Sequence, residues 1–491
     1  MVVATKKRGQ NYFPRKIVLT PFINAIRRDV AAFWDALWPG VRAGLYAYRV
    51  SPPGGTRRLH LRVHPDGSGL LLVDVADVIH LNPTAAVAAK LALDERPPRL
   101  AVRRLARQFR VADLAALERE VGGVYAMVDH LRRTTDACPT CGLIGLERTR
   151  PFSSSPRAPY KADLALSYGC NNACRHCYNE PGRKGMPPLP LDGWRRVLRK
   201  LAAVGVPQVI FTGGEPTLFE GLADLAAEAD RLGLVAGMNT NGRRLADAAL
   251  ARRLTDAGLC HVQITLASCR AEVHDAASGA RSFDQTVAGI RNALAAGLHT
   301  ITNTTLTRHN ADHVDEIVDF VADLGVPALA ANGMIRSGGG RSSPEGIDEA
   351  ELGPLLVRLR DRAAERGLRF LWYTPTPYCR LSPLELELGP RRCNAAEYSI
   401  CIEPNGDVLP CQSYYVPAGN LLRDPWEKIW QSPLFRSFRE RTADPAASGL
   451  PAGCRDCPDL GFCGGGCRLE WEECAGCRDT PDNSLVALNK S

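Results

Sequence analysis

Gly169-Cys170-Asn171-Asn172-Ala173-Cys174-Arg175-His176-Cys177-Tyr178 is the stretch from which the rest of the chain can be read. It sets three cysteines in a C-x3-C-x2-C spacing, with an aromatic residue directly after the last. Four thiolates are the rule for an iron–sulfur cube, so a three-cysteine loop suggests a [4Fe–4S] cluster with one iron left open for chemistry. A zinc knuckle without its fourth ligand, or a chance grouping, is the alternative at this point. Two features downstream weigh against that alternative: a Gly213-Gly214-Glu215-Pro216 turn and a second array of cysteines near the end of the chain.

Composition sets the bounds. A chain of 491 residues suffices for about two to four domains with a sizeable core. The net charge of +8 is spread along the chain, and no basic run is interleaved with aromatics, so no nucleic-acid partner is expected. No apolar run reaches the roughly 18 residues of a membrane helix, and no membrane partner is expected. Met1-Val2-Val3-Ala4-Thr5-Lys6-Lys7-Arg8 lacks the apolar stretch of a secretory signal. Ten of the 17 cysteines lie at or after Cys379 with metal-site spacings. Thiolates that must stay reduced place the protein in the cytoplasm.

The first third divides into an extension (1–42), a small α+β domain (43–135) and a linker (136–161). The extension carries an amphipathic helix over Phe22 to Leu37, with Ile26, Val30, Phe33 and Leu37 on one face. Tyr46, Tyr48 and Val50 alternate as a strand, and Pro52-Pro53-Gly54-Gly55 turns it. Leu59, Leu61 and Val63 follow, then a Pro65-Asp66-Gly67 turn, Leu70–Val73 and Val78–Leu81. Asn82-Pro83-Thr84 opens a helix, and helices are expected over 84–92, 99–108 and 111–132. A small sheet followed by three helices is a winged-helix-like plan. The stretch Leu71 to Ala86 resembles the leader-peptide recognition domain of ribosomal peptide modification systems, of which the pyrroloquinoline-quinone peptide chaperone is an example. The resemblance implies capture of a precursor's leader as an added strand on the sheet edge. A DNA-binding winged helix is the alternative, though no arginine-rich recognition helix stands out. Cys138-Pro139-Thr140-Cys141 is half of a zinc ribbon, a redox pair, or neither.

From Ala162 onward, short apolar runs alternate with helical patterns. Strands are expected near 162–168, 207–211, 233–239, 261–266, 299–307 and 327–332. Helices are expected near 191–204, 219–232, 245–257, 283–297, 312–324 and 350–366. Such alternation gives a parallel sheet, here a partial (β/α)6 TIM-like barrel over 162–375. Chemistry in such folds sits at the C-terminal ends of the strands, and the cysteine loop follows the first of them. Gly213 and Gly214 end the second strand and allow close backbone approach to a ligand. Asn239-Thr240-Asn241-Gly242, Thr265 and Asn303 put hydroxyl and amide groups at later strand ends, where a ribose or carboxylate can be held.

Together the loop, GGEP, the six units and the cysteine-rich tail resemble the radical S-adenosylmethionine (SAM) enzymes. The resemblance implies that Cys170, Cys174 and Cys177 hold a [4Fe–4S] cluster whose fourth iron chelates SAM. It implies a 5′-deoxyadenosyl radical that abstracts hydrogen from an unactivated carbon. It places Tyr178 against the adenine and Gly213, Gly214, Glu215 and Pro216 at the SAM amine. Thr265 falls at the ribose, Asn303 at a further contact, and Met334 and Ile335 beside the adenine. The stretch Val262 to Ser268 departs from the family, which usually ends it Ser-Leu-Asp-Gly: here Ala267 replaces the acid and Ser268 the glycine. Cys269 next door is either reactive or a packed bystander, and Cys260 is structural.

The tail, 376–491, resembles the SPASM auxiliary-cluster domain of radical SAM enzymes that modify peptides and proteins. Cys393, twelve residues, Gly406, four residues and Cys411 match its opening, and Cys454-x2-Cys457-x5-Cys463-x3-Cys467 its middle. By that resemblance two auxiliary iron–sulfur clusters are expected. Cys393, Cys411 and Cys467 hold one, with Cys379 as candidate fourth ligand. Cys454, Cys457 and Cys463 hold the other, closed by Cys474 or Cys477. Cys401 is expected to pack, and Gly406 to turn the hairpin that returns Cys411. The function implied is a maturase that crosslinks a ribosomal precursor peptide by thioether or carbon–carbon bonds. Its electrons would come from a reductase or a flavodoxin or ferredoxin. The alternatives are small-molecule chemistry of the haem-pathway kind, on a tetrapyrrole, and a non-catalytic electron carrier.

Overall fold

The computed structural model describes residues 5–6, 41–52, 56–134, 152 and 156–473. The helix expected from Phe22 to Leu37, the Cys138 and Cys141 pair, and Cys474 and Cys477 lie outside the described residues. The chain divides into two compact units, Met1–Arg148 and Thr149–Ser491.

In the first unit a short strand β1 (Thr5–Lys6) pairs antiparallel with β6 (Phe109–Arg110). Strands β2 (Gly44–Val50), β3 (Arg57–Val63), β4 (Gly69–Val73) and β5 (Asp77–Leu81) form an antiparallel meander in that order. Gly67 takes φ +84° in the turn from β3 to β4, where Asp66 Oδ1 accepts from Ser68 N at 3.0 Å. Helices α1 (Pro83–Leu93), α2 (Pro98–Gln108) and α3 (Leu114–Arg133) follow. Asn82 caps α1 by accepting from Ala85 N at 2.8 Å, and Pro83 fills its first turn. Leu59, Leu61, Leu71 and Val73 bury one sheet face against Ala89 of α1 and Leu131 of α3. The sheet-then-helices plan read from the sequence is what forms.

The second unit is built on seven parallel strands in sequence order: β7 (Lys161–Ser167), β8 (Gln208–Gly213), β9 (Val235–Thr240), β10 (Leu259–Thr265), β11 (His299–Thr305), β12 (Ala328–Asn332) and β13 (Arg369–Trp372). Helices pack against them, and β7, β8, β9 and β12 are buried almost throughout, whereas β10 and β11 alternate buried with partly exposed residues. Val209, Ile210 and Phe211 of β8 are all buried, as are Trp194, Val197, Leu198 and Leu201 of α4 (Leu191–Ala203). The next crossover helix, α5 (Leu222–Arg231), starts later than its apolar pattern suggests, because Pro216–Leu218 first forms a 3-10 turn. The remaining crossovers are α6 (Ala248–Asp256), α7 (Ala271–Ser278) with α8 (Phe283–Ala295), α9 (Val314–Asp323) and α10 (Glu349–Glu365).

The six expected strands are joined by three more. β13 extends the sheet beyond β12. β14 (Ser399–Ile402) adds in parallel beside β7, and β15 (Val408–Leu409) pairs antiparallel with β14. The nine-stranded sheet stays open, with β13 and β15 at its edges. The tail adds short helices α11 (Trp426–Trp430), α12 (Pro433–Arg439) and α13 (Leu460–Cys463). Among the described residues no helix is long and apolar enough to cross a membrane.

Candidate active site

The loop that follows β7 brings Cys170, Cys174 and Cys177 together. Each of the first two thiols is raised by burial and by the charge of its neighbours, Cys174 to about 12. Asn172 N donates to Cys170 Sγ at 3.4 Å. Crowding that penalises bare thiolates favours them once cationic iron is bound. Among the described residues no three His, Cys, Asp or Glu side chains converge on a single-ion site. In a cube each thiolate takes a different iron. The loop is held from outside by α7: Ser278 O accepts from Ala173 N at 2.9 Å and Ala277 O from Arg175 N at 3.3 Å.

The glycines of the GGEP turn serve the chain itself. Gly213 has φ +127°, and side chains at Gly213 and Gly214 would collide with the carbonyls of Ser167 and Gly169. Gly214 N donates to Ser167 O at 2.7 Å and Glu215 N to Gly169 O at 2.8 Å, which presses the turn onto the base of the thiol loop. Pro216 begins the short 3-10 turn. The Glu215 carboxylate is buried, and burial raises its pKa. Its Oε1 accepts from Thr217 N (3.0 Å), Thr217 Oγ1 (2.6 Å) and Thr240 Oγ1 (2.7 Å), and its Oε2 from Asn241 N (2.9 Å). Asn241 Nδ2 in turn donates to Asn171 Oδ1 at 2.7 Å, and Arg243 donates to Asn171 O and Asn172 Oδ1. Glu215 thus joins the ends of β8 and β9 to the cysteine loop.

Across the mouth, Thr265 at the end of β10 is in register with Asn303 of β11. Asn303 Nδ2 donates to Asn332 Oδ1 at 2.9 Å, while the buried Asn303 Oδ1 has no partner. Asn332, which the sequence reading passed over, therefore orients the amide whose oxygen is free for a ligand. Met334 is buried and Ile335 partly so, and after Arg336 and Ser337 come Gly338, Gly339 and Gly340. These glycines form a second cradle. Side chains at Gly338 and Gly339 would meet Cys177 O at 2.5 Å and Arg175 O at 2.6 Å, and Gly339 N donates to Cys177 O at 2.9 Å. The glycine run was the signal for it. His176, also passed over, has its carbonyl oxygen against Gly340 and a buried Nδ1 without a partner, and burial lowers its pKa.

Tyr178 faces the tail. Its hydroxyl donates to Gln412 Oε1 at 3.1 Å, and Tyr415 Oη donates to Asn179 Oδ1 at 3.2 Å. The thiol loop and the Cys411 segment are thereby bound together. Gly406 takes φ +89° in the hairpin between β14 and β15, which returns the chain to Cys411. Burial pushes the Cys411 thiol up to about 12 and raises that of Cys467, and the charge of Cys393 reaches both, so these three thiols form one group. Buried arginines surround it: Arg441 donates to Cys393 O and pairs with Glu397 at 3.3 Å, and Arg392 pairs with Glu397 from the other side. Cys454, Cys457 and Cys463 form a second group. The charge of Cys379 is among the influences that raise the Cys454 and Cys463 thiols, after burial. Cys401 is buried with Ala165, Tyr168 and Leu409, and Cys260 Sγ donates to Gly258 O at 3.3 Å.

Where the family stretch departs, Ser268 Oγ donates to His313 Nε2 at 2.8 Å and His313 Nδ1 to Asp312 Oδ1 at 2.5 Å. This has the order of a nucleophile triad. Ser268 is 0% exposed and also accepts from Arg270 N, so it latches the loop after β10 instead of meeting substrate. Cys269 beside it is partly buried, and burial raises its thiol.

An open parallel βα sheet that gathers three thiols at its strand mouth, with further thiol groups behind, is the build of an iron–sulfur enzyme. The family model of the radical SAM superfamily matches residues 164–321, and that of the SPASM iron–sulfur cluster-binding domain matches residues 393–458. Mycofactocin maturase MftC of Mycobacterium tuberculosis is 31% identical over 330 residues, which is 64% of this chain and 80% of the relative. PqqA peptide cyclase of Streptomyces rochei is 30% identical over 348 residues, 67% of this chain and 92% of the relative. The crystal structure of Streptococcus suis SuiB bound to precursor peptide SuiA matches with TM-score 0.63 at 17% identity, covering 89% of this chain and 99% of that one, a likeness of fold. The chain belongs to the radical SAM superfamily and is an enzyme with a SPASM domain. Membership implies a [4Fe–4S] cluster and SAM, and the SPASM domain implies auxiliary iron–sulfur clusters.

Proposed function

We propose that this enzyme is a peptide maturase that holds a ribosomally made precursor by its leader and crosslinks its core. A thioether from cysteine sulfur to carbon is the favoured product, with a carbon–carbon bond as the second. The observation that carries the reading is the joint between the thiol loop and the first tail group, made by Tyr178 and Gln412 directly after Cys411. With a cluster on each side, that joint would link a radical-generating centre to an electron-accepting one, which an oxidative bond formation needs. The names of the relatives, a peptide maturase and a peptide cyclase, support the same substrate class.

In this reading Cys170, Cys174 and Cys177 hold the [4Fe–4S] cluster. SAM lies against Tyr178, Gly213, Gly214, Glu215, Pro216, Thr265, Asn303, Met334 and Ile335. When bound, the reduced cluster and SAM supply a 5′-deoxyadenosyl radical able to take hydrogen from an unactivated carbon. The chain's own part is positional. Glu215 fixes two strand ends to the loop, Asn303 Oδ1 offers an acceptor, and the two glycine cradles hold the loop's backbone. Two auxiliary clusters occupy the tail, and a reductase, flavodoxin or ferredoxin supplies electrons. The leader adds as a strand to the first unit's sheet, whose β2 and β5 each pair on one side only among the described residues.

The test is anaerobic turnover of reconstituted enzyme with SAM, dithionite and a leader-bearing peptide from a neighbouring open reading frame. The expected products are 5′-deoxyadenosine and a peptide lighter by two hydrogens, both lost in Cys174→Ala. SAM cleavage that survives Cys174→Ala would sink the catalytic reading. Consumption of a tetrapyrrole with the peptide unchanged would return the small-molecule alternative.

A further inference from the structure

The segment Thr376 to Arg380 is strapped across the sulfur of Cys463. Tyr378 N donates to Cys463 Sγ at 3.3 Å, and Thr376 O lies 3.9 Å from the same sulfur. Gly466 N donates to Cys463 O at 3.4 Å, which holds the turn after the cysteine. An amide donor on a ligand sulfur is one means by which iron–sulfur sites tune their clusters. The strap has little freedom to move. A Cβ at Gly466 would lie 2.6 Å from Pro377 Cδ, and Tyr378 Oη donates to Arg391 O at 3.1 Å while accepting from Arg391 N at 3.0 Å. Pro377 O accepts from Arg380 N at 2.9 Å and from Leu381 N at 3.0 Å, which closes a turn with Cys379 inside it. The Cys379 thiol is exposed, one residue from an amide already bonded to Cys463. The charge of that thiol reaches both Cys454 and Cys463.

We propose that Cys379 is the fourth thiolate of the second group, closing one iron–sulfur cluster with Cys454, Cys457 and Cys463. The first group, Cys393, Cys411 and Cys467, then draws nothing from Cys379, and the second needs neither Cys474 nor Cys477. The proposal rests on the reading that the tail binds two clusters, and iron and sulfide content of the unmodified tail test that reading separately.

The experiment uses the full chain with Cys170, Cys174 and Cys177 all changed to alanine, so that only auxiliary clusters contribute. In that background the chain is compared with added Cys379→Ala, Cys454→Ala, Cys393→Ala, or Cys474→Ala with Cys477→Ala. Reduced electron paramagnetic resonance and Mössbauer spectra are read beside iron content. Cys379→Ala is expected to lose or alter the same spectral component as Cys454→Ala and to spare the one lost in Cys393→Ala. The Cys474→Ala and Cys477→Ala double variant is expected to keep the Cys454-dependent component. A Cys379→Ala spectrum matching Cys393→Ala, or one with both components unchanged, overturns the assignment. So does loss of the Cys454-dependent component in the double variant. If the variants fail to fold, a short bis-thiol alkylating agent applied to reduced apoprotein reads the same proximity. A Cys379–Cys454 or Cys379–Cys463 bridge in the peptide map supports the proposal, and a Cys379–Cys393 bridge overturns it. No auxiliary iron in the background chain would instead remove the two-cluster reading itself.

Discussion

Glu215 Oε1 and Oε2 take four protein hydrogen bonds, from Thr217, Thr240 and Asn241. Glu215→Ala orphans those donors in a buried network, and a loss of about 2–4 kcal/mol is expected. A lowered melting temperature of the apoprotein checks it, and Glu215→Gln should recover part of the loss because it keeps the shape and one acceptor. His274 makes a pH prediction. It is buried at 3% exposure, Nδ1 accepts from Ala267 N at 3.2 Å, and burial lowers its pKa from 6.5 to about 4. A histidine held neutral in the fold must charge on unfolding. Its contribution is therefore fully present above about pH 6.5 and is lost as pH falls toward 4, on the order of 3 kcal/mol. Urea unfolding at pH 7 and at pH 4.5 should show the fall, and His274→Gln should flatten it.

At the scale of elements, the glycine run after β12 is the part of the site with the least tolerance. Gly338 has φ +53°, and an added Cβ would stand 2.5 Å from Cys177 O. Gly338→Ala combines left-handed backbone, at roughly 1–2 kcal/mol, with displacement of the thiol loop. The expected result is a chain that folds but binds less than half the normal iron at the radical site. Iron content in a background without tail cysteines checks this, and normal iron there would place the cradle outside cluster assembly. The sequence made β7, β8, β9 and β12 legible as short, largely apolar runs buried on both faces, and β10 and β11 as the next units of the strand–helix alternation. It hid β13, whose Arg369-Phe-Leu-Trp372 is too short for a pattern, and β14, whose place beside β7 is a pairing between distant segments. Cysteine spacing marked the Cys170 loop and the Cys454–Cys463 run as local clusters, while the pairing of Cys393 and Cys411 with the distant Cys467 came only from the family resemblance. It could not place Cys379, whose neighbours are set by the Tyr378 to Cys463 bond across the fold. The Glu215 hub was hidden for the same reason: its Thr240 and Asn241 partners come from another strand end.

At the scale of the whole molecule, the part proposed for the first unit rests on covalent connection. If its sheet holds the leader, the core of the same peptide is presented to the barrel as an intramolecular partner. A flexible tether of ordinary length gives an effective concentration on the order of millimolar. The full precursor should then saturate near the leader's own dissociation constant. The isolated core should need roughly millimolar concentration for the same rate, a fall of about 100-fold or more in kcat/KM for a micromolar leader. Supplying the leader as a separate peptide distinguishes tethering from activation. A tether leaves the core's kcat/KM where it was, because the bound leader no longer carries the core. An activating leader restores it in trans. Equal kcat/KM for core and full precursor would remove leader capture from the mechanism and leave the first unit without a part in substrate choice.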